Sequence, residues 1–126
     1  MIFEEIEKLN FTKEPNFTTD GKNSSNYYSF QCKKCDNSLK MNYQTQIDNS
    51  WNNQSLNLSK NLIEELKRFY NIGISNKSQD GGLPVFDKIV CKKCGSNYIT
   101  YCGVREFSNS AFYVIVNGIL ITKSIE

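Results

Sequence analysis

Four of the five cysteines stand in two C-x-x-C pairs, Cys32-Lys33-Lys34-Cys35 and Cys91-Lys92-Lys93-Cys94. A two-residue spacer lets one tight turn point two sulfurs at the same ion while the backbone N–H groups of the turn stabilise the negative charge, and four thiolates complete the tetrahedron that Zn2+ prefers. The residues that follow each pair suit such a turn, because Gly95 and the Asp36-Asn37 step tolerate left-handed backbone. The spacing therefore predicts one Zn2+ shared by Cys32, Cys35, Cys91 and Cys94. Four thiolates leave no open position for water or substrate, so the ion is expected to be structural and the chain to depend on it for folding.

The same cysteines could serve other chemistries: two disulfides, a thioredoxin-like redox site, or a rubredoxin-type iron site. A reducing compartment disfavours structural disulfides, and a redox C-x-x-C normally stands once, beside a βαβ pattern. A tetrahedron of four sulfurs accepts zinc or iron. The fifth cysteine, Cys102, lies on one face of a predicted strand and reads as a small buried hydrophobe, the alternative being a thiol that is reactive or replaces a ligand.

Histidine is absent from the 126 residues, which removes imidazole as a nucleophile's partner, as a general acid or base and as a metal ligand. No Gly-rich phosphate loop and no G-x-S-x-G is present either, so the chain is not expected to be an enzyme. Glu64 and Glu65 lie beside Lys60 and Arg68 on one predicted helix, which is ordinary surface pairing. The formal net charge of +2 is spread along the chain. Four thiolates around one dication carry −2, bringing the total to about zero, and Lys33, Lys34, Lys92 and Lys93 offset that charge locally. Binding to nucleic-acid phosphates normally calls for a basic stripe that this sequence lacks.

The elements that must position the cysteines are read from periodicity. Ile2, Phe3, Ile6 and Leu9 recur at helical spacing, predicting an amphipathic helix over residues 2–10 that caps the sheet. Residues 14–26 have loop chemistry. Tyr28, Phe30 and Cys32, then Leu39, Met41, Tyr43 and Ile47, alternate with polar residues, so strands flank the first pair. Residues 59–71 form the clearest helix, with Ser59 as N-cap, Leu58 and Ile63 as a staple, a stripe of Leu62, Ile63, Leu66, Phe69 and Tyr70, and Gly73 as the stop. After a loop over 76–84, strands are predicted over 85–90, 98–104 and 112–116, and Asn117-Gly118 predicts a type I′ hairpin turn. At 126 residues the chain is expected to form a single domain, 1–126, of class α+β. It should be a mainly antiparallel sheet with an N-terminal helix and one inserted helix. The acid-rich start, Met1-Ile2-Phe3-Glu4-Glu5, lacks the pattern of a secretory signal, and no apolar run reaches membrane-spanning length, so a cytoplasmic location is expected.

With each cysteine turn flanked by strands, the chain resembles the zinc-ribbon fold group. The matching motifs are Cys32-x-x-Cys35 and Cys91-x-x-Cys94-Gly95, over residues 27–45 and 86–116. Ribbons often bind DNA or RNA, and Tyr98, Tyr101 and Tyr113 are candidate base-stacking side chains, which makes a nucleic-acid-binding or transcription-associated module the alternative function. This chain departs from short ribbons by placing 55 residues between Cys35 and Cys91, with a helical insert over about 46–84. A zinc-stapled, histidine-free, near-neutral domain with its own insert is similar in type to bacterial immunity proteins of contact-dependent growth inhibition systems. The Cys91 to Tyr98 segment and the expected Phe112 to Ile121 hairpin after it carry that likeness. It implies a non-catalytic protein that binds a cognate toxin, with partner contacts on the insert at Trp51, Phe69 and Tyr70.

Overall fold

The computed structural model describes residues 3–8, 17–19, 26–51, 58–73, 77, 82–108 and 111–122; for Phe3, Glu7, Lys8, Trp51, Phe107 and Ser108 only the backbone is described. The described residues are α+β, with two helices and strands paired antiparallel throughout. In chain order the elements are β1 (Phe3–Lys8), β2 (Phe17–Thr18), β3 (Tyr27–Gln31), β4 (Ser38–Asn42), α1 (Tyr43–Trp51), α2 (Lys60–Phe69), β5 (Leu83–Val90), β6 (Asn97–Ser108) and β7 (Ala111–Thr122). One sheet runs β1-β7-β6-β5, with β2 also pairing β7, and β3 and β4 form a second, two-stranded sheet. Among the described residues no helix is long and apolar enough to cross a membrane.

The larger sheet is covered on both faces. On one side it meets Phe30, Leu39 and Met41 of the β3–β4 hairpin and Tyr43 and Ile47 of α1, packed with Val85, Tyr98, Cys102, Val104, Val114, Val116, Ile119 and Ile121. On the other, Leu66 and Tyr70 bring α2 against Phe86, Ile99, Tyr101 and Leu120, with Leu58, Leu62 and Ile72 at the margin. Alternation along β6 sends Tyr98, Cys102 and Val104 to the first core and Ile99 and Tyr101 to the second, as a period of two requires. Leu66 is fully buried, and its truncation to alanine should cost about 2–5 kcal/mol.

Residues 3–8 are a strand, correcting the N-terminal helix expected over 2–10. A helix of that length is marginal by itself, whereas β7 offers a row of unpaired backbone groups that β1 satisfies from Phe3↔Thr122 to Lys8↔Gly118. The register slips between Glu5 and Glu7. That bulge places Ile6 out of simple alternation and imitates a helical spacing in sequence. Phe17 and Thr18, expected in a loop, pair with Val114 and Tyr113, and Phe17 stacks on Tyr43 at 5.0 Å.

A second helix, α1, stands where Tyr43 and Ile47 were expected to continue the strand pattern. Asn42 accepts a hydrogen bond from the Thr45 N–H at 3.0 Å and acts as the N-cap, and Gln44 donates to Asp48 one turn on at 3.1 Å. Spacing of four puts Tyr43 and Ile47 on the buried side of this helix. The expected helix in the insert forms as α2, with the Ser59 hydroxyl accepting from the Leu62 N–H at 3.2 Å. Its stop is Asn71, not Gly73. Asn71 adopts φ 58°, its N–H reaches the Arg68 carbonyl at 3.2 Å, and the Ile72 N–H reaches the Lys67 carbonyl at 2.8 Å, the Schellman arrangement.

Asn117-Gly118 is not a turn. Neither residue has positive φ, and β7 continues through both. Tyr101 pairs with Gly118 and Cys102 with Val116, so Asn117 is the extra residue of a bulge. The bulge resets the alternation, which is why Val114 and Val116 before it, and Ile119 and Ile121 after it, all reach the same core. The C-terminal hairpin is instead the long β6–β7 pair, closing at Ser108↔Ala111. At position 118 glycine is required by close approach: an added Cβ would collide with the Tyr70 hydroxyl and stand 3.1 Å from the Glu5 carboxylate.

Gly118→Ala should therefore lower the unfolding free energy by about 1–3 kcal/mol in urea titration. In a Tyr70→Phe background, which lacks the colliding oxygen, the cost should fall by more than half. Equal costs in both backgrounds would contradict this packing.

Candidate metal centre

The two cysteine pairs occupy the tips of two hairpins, β3–β4 and β5–β6, whose last paired positions are Gln31↔Ser38 and Val90↔Asn97. The turns are built alike. In the first, the Cys32 N–H donates to the Asn37 carbonyl at 2.8 Å and the Asp36 N–H returns to the Cys32 carbonyl at 2.9 Å. In the second, Cys91 donates to Ser96 at 2.9 Å and Gly95 returns to Cys91 at 2.7 Å. The fifth residue of each turn is left-handed, Asp36 at φ 60° and Gly95 at φ 81°, at the positions where the sequence called for it.

The hairpin tips meet, and the four sulfurs lie within 4.8 Å of one another. Cys32 and Cys94 are 3.5 Å apart, and Cys35 and Cys91 3.6 Å, so the closest contacts join one turn to the other. A tetrahedral ion with metal–sulfur bonds of about 2.3 Å separates its ligands by about 3.8 Å. The four cysteines can therefore coordinate one metal ion, and none of the five cysteines is in a disulfide. Cys32 and Cys91 are fully buried, Cys35 is half-buried and Cys94 is exposed.

Donors from outside each pair reach the sulfurs. The Tyr98 hydroxyl, on the strand that leaves the second turn, donates to Cys32 Sγ at 3.1 Å and accepts the Lys33 N–H at 2.8 Å. In the opposite direction, the Asn37 amide of the first turn lies 3.7 Å from Cys91 Sγ. Ser96 Oγ is 3.2 Å from Cys94 Sγ. Lys33 Nζ pairs with Glu4 at 2.7 Å, tying the first turn to β1, though both groups are solvated enough that the pair contributes little to stability.

The Cys32, Cys35 and Cys91 thiols influence one another. Burial pulls the Cys32 thiol up, but the hydrogen bonds from Tyr98 and from the backbone of Lys34 and Cys35 outweigh it and bring it down to about 6. The Asn37 N–H favours ionised Cys35, yet burial and the three neighbouring sulfurs push it up to about 12. Burial likewise opposes ionisation of Cys91, and the N–H groups of Cys94 and Lys93 overcome it, so that thiol is lowered. Opposed shifts within one cluster mark thiols that interact strongly with one another.

Cys102 is fully buried on β6, where its thiol donates to Met41 Sδ at 3.5 Å, in keeping with the reading of it as core. Of the side chains expected to face a partner, Phe69 is 45% exposed on α2. Tyr70 is not at the surface: 7% exposed, it lies 4.2 Å from Tyr101 between ring centroids and donates to Glu5 at 3.3 Å, so packing in the second core uses its ring. The side chain of Trp51 lies outside the described residues. Tyr98 and Tyr101, candidates for base stacking, are both fully buried, and Tyr113 is half-buried. The role of Tyr98 at a sulfur was missed in the sequence. Its signal was its position, seven residues beyond Cys91 on the strand that carries the second turn.

No protein-family model matches the chain, and no curated protein or solved structure matches it.

Metal loading at pH 7.5 should release at least one proton per ion, from Cys35, and fewer than four, because Cys32 with its pKa of about 6 is already ionised there. Below pH 6 Cys32 must give up a proton as well, so release per ion should rise and affinity fall. Dye-detected proton release in weak buffer measures this; release of none, or of all four at pH 7.5, would contradict the description of the cluster.

Proposed function

We propose that this chain is a non-catalytic, zinc-stabilised protein-binding domain. Cys32, Cys35, Cys91 and Cys94 hold one structural Zn2+ in a zinc-ribbon-like arrangement, and the inserted segment engages a protein partner. The observation that carries the reading is the convergence of four free thiols from two matching hairpin tips to within 4.8 Å. Such a donor set is complete for zinc and leaves no position for a substrate. Bound there, the ion supplies charge compensation and a cross-link, and the protein groups around it do the rest. Tyr98 and Asn37 bind the inner sulfurs, the turn N–H groups orient them, and the β3–β4 hairpin shields one side from water.

Reduced thiols as ligands favour a reducing, cytoplasmic compartment. Partner binding is assigned to the insert because α2 uses Leu62, Leu66 and Tyr70 inward and leaves Phe69 outward among the charged residues of its last turn, Lys67 and Arg68. An exposed aromatic with cationic neighbours has the composition of an interface anchor. The partner proposed from the likeness to immunity proteins is a cognate toxin, which this protein would sequester without altering.

The test has two arms. Stripping the ion with a strong chelator should lower the thermal midpoint by about 10 °C or more, because structural zinc binding is folding free energy. Phe69→Ala should leave that midpoint within about 2 °C, since the ring is on the surface. It should also weaken binding to the product of a toxin gene adjacent to this one by about tenfold or more, read by titration calorimetry. A chelator-insensitive midpoint would contradict the structural ion. Unchanged affinity in the Phe69 variant would contradict the assigned surface.

A further inference from the structure

We propose that Tyr98 is a positioning residue of the metal centre: its hydroxyl fixes the sulfur of Cys32 from across the two turns, so that the tetrahedron is arranged before the ion arrives. The inference rests on the metal reading above and adds to it which residue outside the ligand set controls the site.

Three features of Tyr98 support this role. Its side chain is fully buried, so the hydroxyl must find its partners inside the protein, and both belong to the first turn: it donates to Cys32 Sγ at 3.1 Å and accepts from the Lys33 N–H at 2.8 Å. The hydroxyl oxygen is therefore held from two sides. The ring itself is held edge-on against Phe30, with centroids 5.6 Å apart, by the strand that enters the first turn. Finally, Tyr98 belongs to β6, which leaves the second turn, and its pairing with Ile89 and Ile121 fixes its backbone in the middle of the larger sheet. The position of Cys32 Sγ is thereby referred to the same sheet that carries Cys91 and Cys94.

Asn37 works in the reverse sense, its amide 3.7 Å from Cys91 Sγ. Each hairpin thus lends one donor to the buried sulfur of the other. The more exposed Cys94 has its hydroxyl neighbour, Ser96, within its own turn. The centre has an inner pair, Cys32 and Cys91, held across the turns, and an outer pair, Cys35 and Cys94, nearer to solvent. A hydrogen bond to a thiolate withdraws electron density from sulfur, so its loss both misplaces the ligand and raises the energy of the sulfur lone pair.

The experiment uses the full chain, stripped of metal and reloaded with Co2+ alone, with the thiolate-to-cobalt charge-transfer band as the spectroscopic reading and chelator competition with Zn2+ as the affinity reading. Tyr98→Phe keeps the ring and removes only the hydroxyl. It should move the band to longer wavelength and weaken Zn2+ binding about tenfold to a hundredfold. Asn37→Ala should move the band the same way by a smaller amount. Tyr101→Phe removes a hydroxyl from an equally buried tyrosine on the same strand, on the face toward α2, and should change neither reading.

A band and an affinity unmoved in the Tyr98 variant would overturn the proposal, as would an equal shift from Tyr101→Phe, which would mark a general loosening of the sheet. A wild-type chain that takes up Co2+ with no thiolate band at all is a separate failure, that of the metal reading itself.

Discussion

Four sulfurs held within 4.8 Å of one another cannot all carry charge unless a cation stands among them, and the fold brings them to that distance from two hairpins far apart in sequence. Without the ion, some thiols must stay protonated and the hairpin tips share only weak sulfur contacts and the bonds of Tyr98 and Asn37. With it, the β3–β4 hairpin is cross-linked to the larger sheet. A two-stranded hairpin is marginal in water, so this one depends on the core behind it, and a bound ion would add to that support. Phe30, Leu39 and Met41 cover the face of β5, β6 and β7, and the same core takes in Cys32 and Cys91 at the hairpin tips.

The other face of the sheet shows the same economy. β7 is buried on both sides, which is why its sequence reads as one continuous apolar run, and α2 supplies the cover there. Asn117 interrupts that run without ending the strand. As the extra residue of a bulge it allows four branched side chains, two before and two after it, to reach one core. Gly118 then lets the Tyr70 hydroxyl approach the backbone closely enough to reach Glu5 on β1. An irregularity in one strand thus seats both the helix and the first strand.

What could be read in the sequence was what depends on neighbours in the chain. The two turns follow from a spacer of two residues and a left-handed position after it, and α2 follows from Ser59 and a stripe three and four residues apart. What could not be read depends on partners far along the chain. The first segment has helical spacing, yet it pairs with β7 because an open edge there is worth more than a short isolated helix. Asn117-Gly118 has the chemistry of a tight turn, yet pairing on both sides keeps it extended. Tyr43 and Ile47 fit a strand or a helix equally, and the Asn42 cap decides between them. At the site, the four cysteines were legible by type, whereas Tyr98 becomes a neighbour of Cys32 only once β6 lies beside the first turn.

X-ray absorption at the metal edge of freshly purified protein, with elemental analysis of the same sample, tests the central claim most directly. One zinc per chain surrounded by four sulfurs at about 2.3 Å is the predicted result. A chain that carries no metal, or an ion whose neighbours are nitrogen and oxygen, would contradict the account.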